Sequence, residues 1–412
     1  MTLNELQQLI QNGENSGVEF KRDDLRPEQL AREVVAFANF QGGHILIGVE
    51  DDGSVSGVQR ADLEHWVMDT VFGHYVHPQL LPFYDEVVWP NGLRVAVLTV
   101  LPGTTKPYVV RHNQREDIYI RVGSTSRLAT REQQAALFAA GGILHAEILP
   151  VSGSGLADLD RVRLGDYLGR VLGDEVPQTD AAWLRRLCGL GLMSERAHAE
   201  PVCSIAGVVL FAHRPRRLLR QAGVRWMAFA GIDMDYQAQD DGVLDAPLVG
   251  LWQTDSHGTL YQTQSGLLEQ LLQRMQPFVT TELAPTADKL QRDKKWHYAP
   301  EALREALVNA FVHRDWTRPG EVEVVAYQDR LTVTSPGALQ NAMTIDKMLA
   351  GQRSARNPIL VEVLRDYGLV EARGMGVRRK IVPLTREFSG RDAVFEVTDD
   401  YLRVTLPARP AA

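Results

Sequence analysis

Two cysteines in 412 residues, Cys188 and Cys203, are too few for a disulfide framework or a cysteine-rich zinc site, and they fit a reducing compartment. A basic excess is missing as well: 44 Lys and Arg stand against 52 Asp and Glu, a net charge of −8. Bulk charge therefore does not advertise nucleic-acid binding, and any such site must be a local basic patch. No apolar run approaches the roughly 20 residues that a membrane helix needs. The polar start, Met1-Thr2-Leu3-Asn4-Glu5, has no secretory hydrophobic segment, so a cytoplasmic protein without a membrane partner is expected. What is present is ordinary for a globular chain: 44% hydrophobic and 23% charged residues, with length for two or three domains.

The most informative stretch is Glu301 to Trp316. It consists of strong helix formers, with no Gly or Pro before Pro319. Glu305 and Asn309 are four apart and share one helix face, while Leu303, Ala306, Leu307, Ala310 and Phe311 make an apolar face for a sheet. A carboxylate beside a carboxamide can hold a hydrated magnesium ion and orient a water. Strands are expected at 322–327 and 331–334, followed by the turn Ser335-Pro336-Gly337 and the glycine pair in Arg373-Gly374-Met375-Gly376.

In this order the region resembles the ATP-binding fold of the gyrase, Hsp90, histidine-kinase and MutL group, called GHKL. It resembles more closely the RecG-like C-terminal domain of bacterial proteins labelled predicted transcriptional regulators. The resemblance implies that Glu305 is a water-activating base and Asn309 a magnesium ligand. It also implies that Gly374 and Gly376 let bare backbone approach phosphates, and that Ser335 and Gly337 stand where the group has an Asp-x-Gly box gripping adenine. A serine hydroxyl is a weaker, neutral acceptor than that aspartate. The polar segment 352–358 matches the group's lid, from which Arg353 or Arg356 would reach a terminal phosphate. ATP, with Mg2+ or Mn2+, is the implied cofactor.

At the other end, a short helix over 3–11, a strand over 18–21, a helix from about 27 to 40 and a buried strand over 44–49 are expected. Further strands fall at 93–100 and 117–122. Four motifs lie in order: Glu14-x-x-x-x-Glu19-Phe20-Lys21; Ala36-Phe37-Ala38-Asn39 with Gly42-Gly43; Ile47-Gly48-Val49-Glu50-Asp51-Asp52-Gly53; and Tyr119-Ile120-Arg121-Val122-Gly123-Ser124. Together they resemble the Schlafen-type AlbA-like domain. By that resemblance, Glu14, Glu19 and Asp51 or Asp52 would be metal ligands of a phosphodiesterase, with Lys21 on a phosphate. The bland alternative is an acidic loop with structural carboxylates. Arg121, Arg127 and Arg131 cluster after a strand and, with Lys21, form a candidate nucleic-acid surface. His65, His74 and His77 suggest zinc only weakly, because no acidic or Cys ligand has suitable spacing.

Between these ends, Ala/Gly/Ser-rich sequence near 132–160 marks a linker. Two short helices follow, then a buried strand expected at 205–211. Arg216 and Arg217 sit in the densest basic loop, poised to bind phosphates or to pair with the acidic 233–245 stretch. A long amphipathic helix is expected over 258–281. The expected architecture is a multidomain α+β chain: an AlbA-like domain (1–135), a linker and middle α+β domain (136–285), and a GHKL-like α/β sandwich (286–412). The function expected is a dimeric, ATP-responsive, nucleic-acid-binding regulator acting on DNA or RNA. Two alternatives stand beside it: a Schlafen-like metal-dependent endonuclease of phage defence gated by the ATP domain, and a scaffold with both sites degenerate.

Overall fold

The computed structural model describes residues 1–113, 115–142, 145–196, 198–282, 294–340, 343–352, 354–370 and 376–410. The chain is a multidomain α+β protein that divides into two compact units, Met1–Leu144 and His145–Ala412. The division falls inside the segment read as a linker. Among the described residues, no helix is long and apolar enough to cross a membrane.

The first unit is built on a four-stranded sheet in the order Val18–Lys21, Gly43–Ile47, Arg94–Val100, Phe83–Val88. The first pair is parallel and the others antiparallel. Alternation along the strands sends side chains to two cores. Ile45, Ile47, Ala96 and Leu98 pack with Leu30, Val34 and Phe37 of the Pro27–Asn39 helix. Phe20, Leu46, Val95 and Val97 pack with Leu6 of the Leu3–Asn12 helix. That shorter helix starts in a capping box, in which Thr2 and Glu5 satisfy each other's backbone N–H groups. A hairpin of Tyr119–Val122 and Thr125–Leu128 follows, leading to the Arg131–Ala140 helix.

In the second unit a six-stranded sheet runs Asp240–Leu244, Val224–Ala228, Val322–Ala326, Arg330–Pro336, Tyr401–Pro407, Val394–Val397. The segments read as a middle domain and as a C-terminal domain thus share one sheet, joined by the parallel pairing of Val224 with Val322. They share one core as well, in which Trp226, Leu303, Leu307, Phe311, Val324, Leu331 and Leu406 are buried together. Each such aliphatic side chain withdrawn from water contributes about 1.5–3 kcal/mol.

Three expectations need correction. Ile205–Phe211 is a helix, not a strand: Ser204 caps it by accepting the Gly207 N–H, and a short apolar run fits either structure by pattern alone. The helix expected over 258–281 begins only at Leu267 and ends at Val279, because Leu251–Thr254 and Leu260–Gln264 pair as a hairpin before it. The helix expected from Glu301 to Trp316 runs from Pro300 to Val312. It stops because Asn357 Nδ2 donates to the carbonyls of Val312 and Arg314 at 2.9 and 2.8 Å, and Arg356 donates to that of His313 at 3.2 Å.

Candidate functional site

The C-terminal half of the Pro300–Val312 helix forms one wall of a cavity of about 360 Å³. Glu305 and Asn309 both line it, and Asn309 Nδ2 donates to Glu305 Oε1 at 3.2 Å. Val333, Met343, Met348, Phe395, Leu402 and Val404 supply apolar walls. Such a lining suits a flat ring, and the few polar groups give orientation.

Two glycines of the expected nucleotide boxes hold close approaches. A Cβ on Gly376 would stand 1.6 Å from Glu305 Oε1. Gly337 has φ +110° and would carry a Cβ 2.4 Å from that of Asp315, so both its conformation and its surroundings require glycine. Gly374 and Arg353, both expected to contact nucleotide, lie outside the described residues.

The remaining expected contacts need qualification. Ser335 is buried and lines the cavity, but its Oγ donates to the Ala310 carbonyl at 2.7 Å. Its hydrogen is thereby taken, and toward a ligand the oxygen acts as an acceptor. Arg356 does not extend as a phosphate-reaching arm. It is buried, with its guanidinium on the carbonyls of His313 and Ala338, the latter at 2.6 Å. The bond to His313 falls at the negative end of the helix dipole, where a cation is favoured. His313, absent from the expected residues, lines the same cavity. It is an exposed residue that faces the cavity, and desolvation by the surrounding protein first, then the Arg356 charge, hold its imidazole down at about 4. The ring is therefore neutral at pH 7. Its spacing was a usable signal, since Glu305, Asn309 and His313 follow one another at intervals of four.

In the first unit the expected metal cluster does not assemble. Glu14 Oε1 accepts the backbone N–H of Phe20 at 2.9 Å. Glu19 is buried against Arg121, whose Nη1 donates to Glu19 Oε2 at 2.7 Å, and it also pairs with Lys21. Asp51 is exposed in the turn after the Gly43–Ile47 strand, and Asp52 Oδ1 accepts the Ser54 N–H of that turn at 2.8 Å. Among the described residues, no three of His, Cys, Asp and Glu are grouped to hold a metal ion. The three histidines are likewise occupied separately: His65 pairs with Asp69, His74 bonds the Asp69 carbonyl and His77 the His74 carbonyl.

Arg121 is also corrected, from a phosphate contact to a core ion. Its side chain is 0% exposed, and it reaches Glu33 Oε2 at 3.3 Å, Ser126 Oγ at 3.2 Å and the Asn15 carbonyl at 2.7 Å. The guanidinium lies 4.5 Å over the Phe37 ring. Burial first, and then the Glu33 carboxylate, raise the Glu19 carboxyl above its usual range, against the pull of Lys21 and Arg121. Glu33 gave its own signal, a charge on the apolar stripe of its helix three residues from Leu30 and four from Phe37. Asn39, in the second motif, joins its helix end to the Tyr119–Val122 strand and to the residue before the Val109–His112 strand by bonds to the Tyr119 and Tyr108 carbonyls at 2.9 and 2.8 Å.

Of the expected nucleic-acid contacts, Arg127 and Arg131 are exposed, at the hairpin and at the start of the helix after it. Lys21 is half-buried on Glu19. In the second unit Arg217 is exposed, whereas Arg216 pairs with Glu321, its Nε at 3.0 Å, and its backbone N–H donates to Asp245.

Comparison with known proteins agrees with two separate resemblances. Residues 14–130 match the family model described as Schlafen, AlbA_2. Residues 320–406 match the one described as "Putative ATP-dependent DNA helicase recG C-terminal". No curated protein matches the chain. Among solved structures, the DIP2311 protein from Corynebacterium diphtheriae aligns over 96% of this chain at 22% identity and a TM-score of 0.42. This chain spans 65% of that protein's length. The N-terminal domain of a RecG-related protein from Nitrosomonas europaea aligns over 32% of this chain and 94% of its own, at 21% identity and a TM-score of 0.25. The family matches associate the chain with nucleic-acid-linked proteins and with an ATPase-type fold.

Proposed function

We propose that the chain is an ATP-responsive nucleic-acid-binding regulator, working as a homodimer, in which the cavity of the second unit takes magnesium–ATP. The observation that carries this reading is the cavity itself: Glu305 and Asn309 side by side on its helical wall, Gly376 pressed against Glu305, and apolar walls beyond. A carboxylate and a carboxamide are hard oxygen donors, the kind that magnesium takes. Asn309 would hold the ion, which when bound would screen phosphate charge. Glu305 is also placed to draw a proton from water beside the terminal phosphate. Apolar walls of this kind accept a base.

Nucleic acid would meet the first unit along the hairpin edge that carries Arg127 and Arg131. Binding of ATP can tune that grip only if the two states of the second unit differ in affinity for nucleotide. The endonuclease alternative requires Glu14, Glu19 and Asp51 to converge, and the commitment of Glu19 to Arg121 and Lys21 weighs against it.

The test is calorimetry with ATP, with and without magnesium, followed by mobility shifts of DNA and RNA at each nucleotide state. Asn309→Ala should abolish the magnesium-dependent part of binding, and Glu305→Ala should keep ATP but lose turnover. Failure of the wild type to bind ATP at millimolar concentration would reject the reading. So would a mobility shift that ignores nucleotide.

A further inference from the structure

At the end of the cavity away from Glu305, the polar side chains are nearly all committed to the protein. Ser335 donates to the Ala310 carbonyl and Arg356 to the carbonyls of His313 and Ala338. His313 differs. Its backbone carbonyl is used, but among the described residues its ring makes no hydrogen bond, and it is an exposed residue lining the cavity. An imidazole in this setting has one N–H to give and one lone pair to offer, with nothing among the described residues to take either. It follows Ala310 by three positions, so it stands about one helical turn from the carbonyl that orients the Ser335 hydroxyl.

We propose that His313 reads the base of the bound nucleotide, donating its ring N–H to N1 of an adenine whose amino group reaches Ser335 Oγ. This rests on the nucleotide-binding reading above and sharpens it by naming the base and the group that contacts it. The chemistry is complementary. Ser335, with its hydrogen spent on Ala310, accepts from an amino group and has no donor for the oxo group of hypoxanthine or guanine. A neutral imidazole beside the Arg356 charge suits a neutral base edge better than it suits a phosphate. No charge is buried by the contact, so it selects a base without the carboxylate that the wider ATP-binding group uses.

Calorimetry on the full chain in magnesium provides the test, with ATP, inorganic tripolyphosphate and 1-deaza-ATP as probes. His313→Ala should weaken ATP about ten-fold and leave tripolyphosphate unchanged, the size expected for one neutral hydrogen bond to a buried ligand. Undiminished ATP affinity in the variant overturns the proposal, as does an equal loss on tripolyphosphate, which would make His313 a phosphate contact. A second arm leaves the protein intact: the wild type should bind 1-deaza-ATP, which lacks N1, about ten-fold more weakly than ATP. Equal affinities overturn the proposal even if the variant fails to fold. A wild type that binds neither ATP nor tripolyphosphate defeats the nucleotide reading itself, a result distinct from the failure of His313 alone.

Discussion

Both units carry a glutamate in the region that sequence motifs mark as functional, and they treat it in opposite ways. Glu19 and its neighbour Glu33 are withdrawn from water and met by Arg121, with Lys21 and Arg32 at the rim. Glu305 instead is bonded by the Asn309 amide and lines a cavity large enough for a ligand. Two of the buried arginines of the second unit differ in turn from Arg121. Arg314 and Arg356 spend their donors on backbone carbonyls around the end of the Pro300–Val312 helix. A motif arginine in this protein is thus more often a structural ion than a phosphate ligand, and what separates the cases is where its acceptors lie. Charge that has found a protein partner is poor evidence for a site, whereas polar groups that converge on open space are better evidence.

The sharpest way to break the comparison is to remove the charge that closes the first cluster. Arg121→Ala leaves two buried carboxylates facing each other without the buried cation they share, and with only Lys21 and Arg32 at the rim. It should destabilise the first unit by about 3–5 kcal/mol, the range for breaking a buried pair on one side. Denaturant unfolding of the full chain should show an early transition for that unit. A variant that unfolds like the wild type but binds nucleic acid weakly would restore Arg121 as a contact residue.

A buried carboxylate of the second unit predicts a pH effect. Glu147 accepts the N–H groups of Ile359 and Leu360 at 2.7 and 2.9 Å, capping the Pro358–Asp366 helix. Burial nevertheless pushes its carboxyl up, from 4.5 to about 7, against those two bonds. The folded form therefore holds this proton more tightly than the unfolded chain does. The stability it contributes is full below about pH 4.5 and is lost as pH rises through about 7, amounting to about 3 kcal/mol. Melting temperature should fall between pH 5 and 8 for this reason, and Glu147→Gln should flatten that slope. A variant whose slope matches the wild type would remove Glu147 as its cause.

Gly376→Ala should act on the site more than on the fold. Its Cβ meets the far end of the Glu305 side chain, which can swing away, so the stability change should stay near 1 kcal/mol. ATP turnover, which needs Glu305 in place, should be lost. Retained turnover would separate Glu305 from the reaction.

Much of the fold was legible in local pattern. The Leu3–Asn12, Pro27–Asn39 and Pro300–Val312 helices were visible from their apolar spacing, and Glu305 with Asn309 from an interval of four. What pattern could not supply was partnership across the chain. Arg121 meets Glu19 and Glu33 across 102 and 88 residues, so no local reading shows that its charge is consumed. The same holds for Ser335 and Ala310, 25 apart, and for the Val224 strand that joins Val322 in one sheet. Ile205–Phe211 failed for a different reason: seven apolar residues have no period to distinguish helix from strand, and the deciding contact is a single cap from Ser204.

The smallest expected change in stability carries the test of the nucleic-acid surface. Arg127 and Arg131 are exposed, and among the described residues neither side chain is held by a carboxylate: Arg127 Nε bonds the Thr125 hydroxyl at 3.2 Å. Replacing both by Ala should therefore leave unfolding within about 0.5 kcal/mol of the wild type, as for surface changes away from special features. If the two arginines touch phosphates, each neutralises one charge and releases its counterion. The slope of log affinity against log salt should then shrink by roughly two for duplex DNA. An unchanged slope in a variant of unchanged stability would clear this edge of any role and move the search to the exposed Arg217 of the second unit. A shallower slope, set beside an Arg121→Ala variant that fails by unfolding, would show the two kinds of arginine in one motif region separated by experiment.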